Sequence, residues 1–125
     1  MSPEVCEDFL AHLGAVQQNN SYDITPMPMF VGALELDILL GDVHSLKQKR
    51  SVVRPVVAEV RRRFSVSVAE AGHLDLHRRA LIGVAVVAAE GEHVRDVLDS
   101  CERYLAGRPE FELLSAHRRL LGPDD

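Results

Sequence analysis

Residues 30–118 alternate between two hydrophobic periods, and the order of that alternation admits few folds. In the segment 30–40, most even positions carry large apolar residues, whereas Glu35 and Asp37 fall on odd positions. This two-residue period is typical of a half-buried strand. In the segment 46–64, apolar residues recur every three or four positions, which is the period of an amphipathic helix.

The two periods predict six elements in the order strand, helix, strand, strand, helix, strand. In chain order they are strand 30–40, helix 46–64, strand 65–70, strand 80–89, helix 93–106 and strand 111–118. This order is the split βαβ pattern of ferredoxin-like domains. It predicts an α+β fold, ferredoxin-like βαββαβ, in which a four-stranded antiparallel sheet carries two helices on one face and leaves the other face open.

Local signals support both helices. Ser45, with Gln48 three residues later, has the form of a capping box at the start of the first helix. Pro55 removes a backbone hydrogen bond inside that helix and favours a kink, and its place in the repeat points it towards solvent. In the second helix, Cys101 falls on the apolar stripe as a small core residue, and Gly107 is a natural stop.

The length of 125 residues argues for a single domain. We divide the chain into an N-terminal extension, 1–28, and a ferredoxin-like domain, 29–125. The polar run and prolines of the extension predict a mobile segment. Met27 and Met29 offer alternative translation starts, which would make the extension a mis-called start.

Composition predicts a cytoplasmic globular protein. Hydrophobic residues make up 46% and charged residues 26%, a balance that argues against wholesale disorder. No apolar run reaches the roughly 20 residues that span a bilayer, and the acidic N-terminus does not resemble a secretory signal. Cys6 and Cys101 form neither a disulfide framework nor a zinc pattern, so we expect reduced thiols and a cytoplasmic location.

Charge is distributed unevenly, although the formal net charge is −5. Residues 44–79 hold nine basic and three acidic residues, and such a segment attracts a polyanion in spite of the acidic total. Helical periodicity places Lys47, Arg50, Arg54 and Arg61 along one flank of the first helix, and Arg62 and Arg63 are expected to widen it at the C-terminal end. The residues 77–79, before the third strand, are expected to extend the same surface. Guanidinium groups bind phosphate oxygens without reading sequence. The alternative is an ordinary solvated helix face with arginines that favour the helix C-terminus. The predicted nucleic-acid-binding residues are Lys47, Lys49, Arg50, Arg54, Arg61, Arg62, Arg63, Arg78 and Arg79.

Other residue groups offer weaker chemistry. His73, Asp75 and His77 present ligand types at alternate positions and are the strongest metal candidate, but ordinary loop packing explains them as well. Glu35 and Asp37 share a strand face, as acid–base pairs do, yet exposed strands carry such residues routinely. No glycine-rich phosphate loop occurs. We therefore predict no catalytic residue, no metal, no cofactor and no small-molecule substrate.

Four segments carry a resemblance to a known family, namely residues 30–36, 44–55, 63–70 and 75–87. The most distinctive is the run Ser-Leu-Lys-Gln-Lys-Arg at 45–50. Residues 30–121 thereby resemble the YlxP-like proteins, a family of small bacterial proteins of unassigned function. The resemblance implies a ferredoxin-like fold and no catalytic residue. Genes of this family lie beside those of transcription elongation, translation initiation and ribosome maturation factors, which implies a role near ribosome assembly or translation.

Two hypotheses of different classes follow. The first is a small non-enzymatic factor that associates with RNA, the ribosome or ribosome maturation through the basic helix surface. The second is a dimeric regulatory or binding module that recognises a protein or small ligand through the open sheet face. A monomer rarely leaves such an apolar face exposed to solvent, so we predict a homodimer whose interface is the open face of the sheet. The residues expected on that face are Val31, Ala33, Leu81, Gly83, Ala85 and Val87.

Overall fold

The computed structural model describes residues 28–123, and six elements lie in this range. In chain order they are β1 (Phe30–Leu40), α1 (Leu46–Phe64), β2 (Ser67–Gly72), β3 (Arg79–Ala88), α2 (Gly91–Ala106) and β4 (Phe111–Leu121). The predicted order is confirmed, and the bounds of β1 and α1 agree with the prediction residue for residue. The predicted mobile extension lies almost wholly outside the described residues.

The other bounds differ from the prediction by a few residues at the ends of elements. β2 begins at Ser67 because Ser65 adopts a left-handed backbone conformation, with φ of 54°, and closes the C-terminus of α1. β4 continues to Leu121 because Val31, near the start of β1, still pairs with it. Pairing between strands therefore extends beyond the predicted end of β4.

The four strands form one antiparallel sheet in the order β2-β3-β1-β4. β1 pairs with β3 along its length, from Phe30 opposite Ala88 to Leu39 opposite Arg79. On its other side β1 pairs with β4, with a register shift after Asp37. The predicted ferredoxin-like α+β fold is confirmed, with four antiparallel strands and two helices.

The core forms between the two helices and one face of the sheet. It takes alternate residues of β1 and β3 and one stripe of each helix. A fully buried side chain of this kind contributes about 1.5–3 kcal/mol, so this face supplies most of the stability of the fold. The most deeply buried aliphatic residues are Leu34, Leu36, Ile38, Leu40, Val60, Ile82, Val94, Leu98 and Leu105.

Helix α1 begins as the sequence predicts. The Ser45 Oγ accepts a hydrogen bond from the Gln48 amide at 3.1 Å, and the Gln48 Oε1 accepts one from the His44 amide at 2.6 Å. These reciprocal bonds satisfy amides that have no partner within the helix. The helix continues through Pro55, whose side chain is exposed, as its place in the repeat predicts.

The opposite face of the sheet is covered by neither helix, and we call it the open face. It carries the odd-numbered residues of β1 and β3, because their even-numbered neighbours are buried in the core. Val31 lies opposite Val87, and Ala33 lies opposite Ala85. The residues expected on this face therefore lie there, and Val87 is 59% exposed.

Gly32 lies where α2 packs on β1, and it leaves no room for a side chain. A Cβ atom at Gly32 would lie 2.4 Å from the Val94 Cγ1 and 2.8 Å from the Leu98 Cδ1. We predict that Gly32→Ala lowers the free energy of unfolding by about 1–3 kcal/mol, measured by urea denaturation, because the helix must move away from the sheet. Gly41→Ala is the control, since the atom nearest to its added Cβ is the Glu110 carbonyl oxygen at 3.8 Å. Equal stability of the two variants would contradict the prediction.

Candidate nucleic-acid interface

Three cationic side chains follow one flank of α1 near its N-terminus. Lys47, Arg50 and Arg54 are exposed, and together with Ser51 and Pro55 they line a shallow depression of about 330 Å³. Spacings of three and four residues place neighbouring side chains on one side of a helix. The Arg50 Nε donates to a carbonyl one turn earlier at 3.3 Å, which braces this side chain against the helix. We call Lys47, Arg50 and Arg54 the basic flank.

The positive charges of the basic flank are not neutralised by any carboxylate of residues 28–123. None of its three cations forms an ion pair with a carboxylate of residues 28–123, and the first turn of α1 contains no acidic residue. The one acidic residue of the helix, Glu59, lies 2.6 Å from a terminal nitrogen of Arg62. The flank therefore presents three positive charges to solvent.

The positive charges of Lys47 and Arg50 lie close to the helix N-terminus, which is the positive end of the helix dipole. A helix N-terminus carries partial positive charge, and a cation close to it costs about 0.3–1 kcal/mol. Lys47 and Arg50 lie in the first two turns of α1, so helix stability does not account for them. The same dipole adds to the positive potential of the flank, and both favour an anion.

Lys49 lies on a different side of the helix from the basic flank. Its side chain is 2% exposed, and its Nζ donates to the carbonyls of His73 and Leu76, both at 2.7 Å. The same Nζ lies 2.5 Å from the Glu70 Oε1. The prediction that Lys49 belongs to an exposed nucleic-acid surface is wrong, because this position turns towards the sheet with Val53. Lys49 instead ties the loop between β2 and β3 to α1.

The three arginines at the C-terminal end of α1 diverge. Arg61 projects towards β2, where its Nη2 donates to the Val68 carbonyl at 2.7 Å. Arg62 forms the ion pair with the acidic residue of the helix. The Arg63 guanidinium lies 5.1 Å from the ring centroid of Tyr104 on α2. Arg62 and Arg63 therefore do not widen the basic flank as the sequence predicts.

Arg79 is the first residue of β3 and Arg78 precedes it, and each donates hydrogen bonds within residues 28–123. The Arg78 Nε donates to the carbonyls of Leu40 and Gly41 at 3.3 and 3.1 Å. Arg79 donates two hydrogen bonds, at 3.1 and 2.6 Å, to the Asp37 carboxylate on the open face. These hydrogen bonds from Arg79 hold the pKa of Asp37 below its usual range. A carboxylate thus neutralises Arg79, so Arg79 does not add to a free positive surface as the sequence predicts. Arg78 is exposed and donates only to backbone carbonyls within residues 28–123, so its convergence with the basic flank stays a prediction.

The candidate metal ligands His73, Asp75 and His77 lie in the loop between β2 and β3. The His73 Nε2 lies 3.5 Å from the Asp37 Oδ2 on the neighbouring part of the sheet. Within residues 28–123, no three His, Cys, Asp or Glu side chains are grouped closely enough to hold a metal ion.

Cys101 is the core residue that the helical stripe predicts. Its side chain is fully buried in α2, and burial raises the pKa of its thiol to about 11. The thiol is therefore protonated at neutral pH and out of reach of solvent, which fits a packing role.

Arg118 has a structural role that the sequence analysis does not predict. Its Nη1 lies 2.6 Å from the Asp99 Oδ1, and its Nη2 lies 3.4 Å from the Glu102 Oε1. Both acidic residues belong to α2, so Arg118 ties the edge strand β4 to this helix. The acidic residues three positions apart in α2 are the one signal in the sequence that suggests a cationic partner.

Comparison with known proteins identifies the family. Residues 31–118 match the family described as "Protein of unknown function (DUF503)". The chain belongs to the DUF503 family. The "Uncharacterized protein YlxP" of Bacillus subtilis (strain 168) is 29% identical to this DUF503 chain over 82 residues, which is 66% of this chain and 89% of the Bacillus protein. The resemblance to YlxP-like proteins is confirmed.

Similarity to solved structures is weaker. The de novo designed protein Foldit4 aligns with a TM-score of 0.45 and 13% identity, over 74% of this DUF503 chain and 96% of the designed chain. A mutant of SnoaB, a cofactor-independent oxygenase from Streptomyces nogalater, aligns with a TM-score of 0.39 and 10% identity, over 79% and 96% of the two chains. Similarity at this level carries no functional inference. In the described part of this DUF503 protein, no helix has the length and hydropathy needed to cross a membrane.

Removal of the buried ammonium tests the structural role of Lys49. We predict that Lys49→Met lowers the free energy of unfolding by about 3–5 kcal/mol, because it leaves Glu70 and two carbonyls without their cation. Lys47→Met, on the exposed flank two residues away, should change stability by less than about 0.5 kcal/mol. Urea denaturation of both variants measures the difference, and a tolerant Lys49→Met would refute the role.

Removal of Arg79 tests the ion pair on the open face. Arg79→Leu should raise the pKa of Asp37 towards its ordinary value, measured by carboxyl ¹³C shifts in an NMR titration. Because folding lowers this pKa, the pair stabilises the fold above about pH 4, and its contribution is lost as pH falls through the lowered value. Arg78→Leu is the control, since Arg78 binds backbone carbonyls. An Asp37 pKa that stays low without Arg79 would show that another group lowers it.

Proposed function

We propose that this DUF503 protein is a small non-enzymatic factor that binds structured RNA through the basic flank of α1. One observation carries the proposal. Lys47, Arg50 and Arg54 are adjacent, exposed and without carboxylate partners among residues 28–123, in the N-terminal half of a helix whose first turn contains Lys47. The free protein gains no stability from this arrangement, whereas a phosphate backbone neutralises it.

The length of the flank suits a run of phosphates. Lys47 and Arg54 are seven residues apart, which is about 10 Å along a helix. Each of the three side chains can bind one phosphate along such a span, so we expect about three phosphate contacts. Arginine forks and a lysine point charge both suit phosphate oxygens.

The mode of binding follows from the placement of the aromatic residues. Sequence-specific recognition of single-stranded RNA stacks bases on exposed aromatic side chains. Within residues 28–123 the aromatic side chains pack in or against the core, namely Phe30, Phe64, Tyr104 and Phe111. Binding therefore depends on the backbone and shape of a folded RNA, and ribosomal RNA is the class that fits.

Further features support a non-enzymatic cytoplasmic role. Asp37 is occupied by Arg79, and Cys101 is buried in the core, so neither is available as an acid, a base or a nucleophile. Cys101 is a free thiol, as is usual in the cytoplasm. The gene neighbourhood implied by the YlxP-like resemblance supports a partner close to the ribosome.

Charge reversal on the flank tests the proposal. The probe is purified bacterial ribosomal RNA in filter binding, with salt varied between about 50 and 200 mM. About three phosphate contacts predict a slope of roughly −2 to −3 for log affinity against log salt. Arg50→Glu with Arg54→Glu should lower the affinity on the order of 100-fold and flatten the slope, because two contacts become repulsive.

A matched double variant separates local contact from net charge. Arg95→Glu with Arg103→Glu makes the same change in charge on exposed positions of α2. This control should keep the affinity within a few-fold of the wild type. Equal losses in the two double variants, or RNA binding that both of them retain, would overturn the proposal. Cosedimentation with ribosomes, with and without nuclease, provides a second readout of the same comparison.

A further inference from the structure

The open face of the sheet is covered by no element of residues 28–123. We infer that this face is the interface of a two-fold symmetric homodimer of the DUF503 chain, in which Glu35 of each copy pairs with Arg119 of the partner subunit. The inference does not depend on the proposed RNA function, because the basic flank lies on a helix at the other face of the sheet. Both surfaces are available at the same time.

Small residues lie in the middle of the half of the open face formed by β2 and β3, between Leu81 and Val87. Ala69, Ala71, Gly83 and Ala85 line a shallow depression of about 280 Å³. The other half carries larger side chains, and β4 contributes His117 and Arg119 there. In a two-fold symmetric dimer, the raised half of each copy can therefore pack against the recessed half of the other copy.

A row of aliphatic side chains crosses one end of the open face. Val31 pairs in register with Val87 on one side and with Leu121 on the other. Val87 is 59% exposed and Leu121 is 49% exposed. Burial of this row against another apolar surface removes aliphatic area from water, which supplies the driving force for association.

Two unpaired charges of opposite sign lie beside the depression. Glu35 lies opposite His117, and Arg119 lies opposite Ala33, so the two charged residues are diagonal neighbours on adjacent strands. Both are exposed, and neither side chain forms an ion pair or hydrogen bond with any residue in 28–123. The other acidic residue of β1, Asp37, is by contrast already neutralised within the chain.

Symmetry converts this single acid and single base into two contacts. A two-fold axis that lies in the plane of the face and passes between Glu35 and Arg119 brings each one to its opposite on the other copy. A protein or ligand unrelated to this chain would need its own acid and base at the matching positions. A second copy has them by identity, which makes it the occupant that the charges favour.

The size of the face is sufficient for a weak to moderate dimer. Three of the four strands have 10 or 11 residues and are roughly 30 Å long, whereas β2 has six. With strands about 4.8 Å apart, the face measures at most about 19 by 30 Å. Burial of most of this face on two copies removes on the order of 1,000 Å² from water, the lower end of the range for specific interfaces. At that size the two ion pairs have a large effect on affinity.

Reciprocal charge reversal tests the dimer on the full chain. Sedimentation velocity at about 100 µM should give the wild type a mass of twice the 13.9 kDa chain. Glu35→Arg or Arg119→Glu alone places like charges at both contacts and should weaken dimerisation roughly 100-fold or more. In an equimolar mixture, one Glu35→Arg chain meets one Arg119→Glu chain with opposite charges at both contacts, so the mixture should restore the dimer mass.

The mixture also shows that both variants are folded, because an unfolded chain does not restore the dimer. Arg95→Glu makes the same charge change as Arg119→Glu on the helix side and should dimerise like the wild type. A wild-type chain that stays monomeric overturns the inference. A wild-type dimer that tolerates both single reversals also overturns it and places the interface elsewhere.

Discussion

Burial of the even-numbered side chains of β1 and β3 beneath two helices is the constraint on which the rest of the structure depends. Leu34, Leu36 and Ile82 are at most 1% exposed, and they meet the stripes of α1 and α2 that end at Val60 and Leu105. Because a strand alternates its side chains, burial of one set leaves the other set on the open face. Because each helix buries one stripe, its remaining surface faces solvent. The two candidate interaction surfaces both follow from this arrangement.

A buried cation completes that arrangement at one edge of the sheet. Lys49 occupies a core-facing position of α1, and its ammonium forms an ion pair with Glu70 and donates to the carbonyls of His73 and Leu76. A buried charge is tolerated when it is paired and fully hydrogen-bonded, and it then fixes the groups around it. The loop between β2 and β3 is thereby held against the N-terminal half of α1. Lys49 is buried, whereas the nearby cations Lys47 and Arg50 are exposed to solvent.

Only those basic side chains that have no partner within the described chain are fully available to bind an anion. The sequence places nine basic residues within residues 44–79 but does not indicate their partners. Arg79 binds a carboxylate 42 positions away in the chain. Arg63 lies over an aromatic ring of the other helix. Such pairs arise where distant segments meet, so charge counting along the chain overestimates the free positive surface. Within residues 44–79, the basic flank comprises the cations that have no carboxylate partner and no hydrogen bond or ring contact with another element of the described range.

By itself the sequence determined the order of the elements, the two faces of the sheet, the cap at Ser45 and the family. These properties depend on local backbone preference and on a hydrophobic period that repeats over neighbouring residues, so they can be read from short segments. Tertiary structure alone decided that Lys49 is buried, that Arg79 is neutralised by Asp37, and that Glu35 and Arg119 lie side by side without partners in the described chain. The physical reason is that an ionic contact depends on the distance between two side chains in space, and strands and helices far apart in sequence set that distance only when they pack.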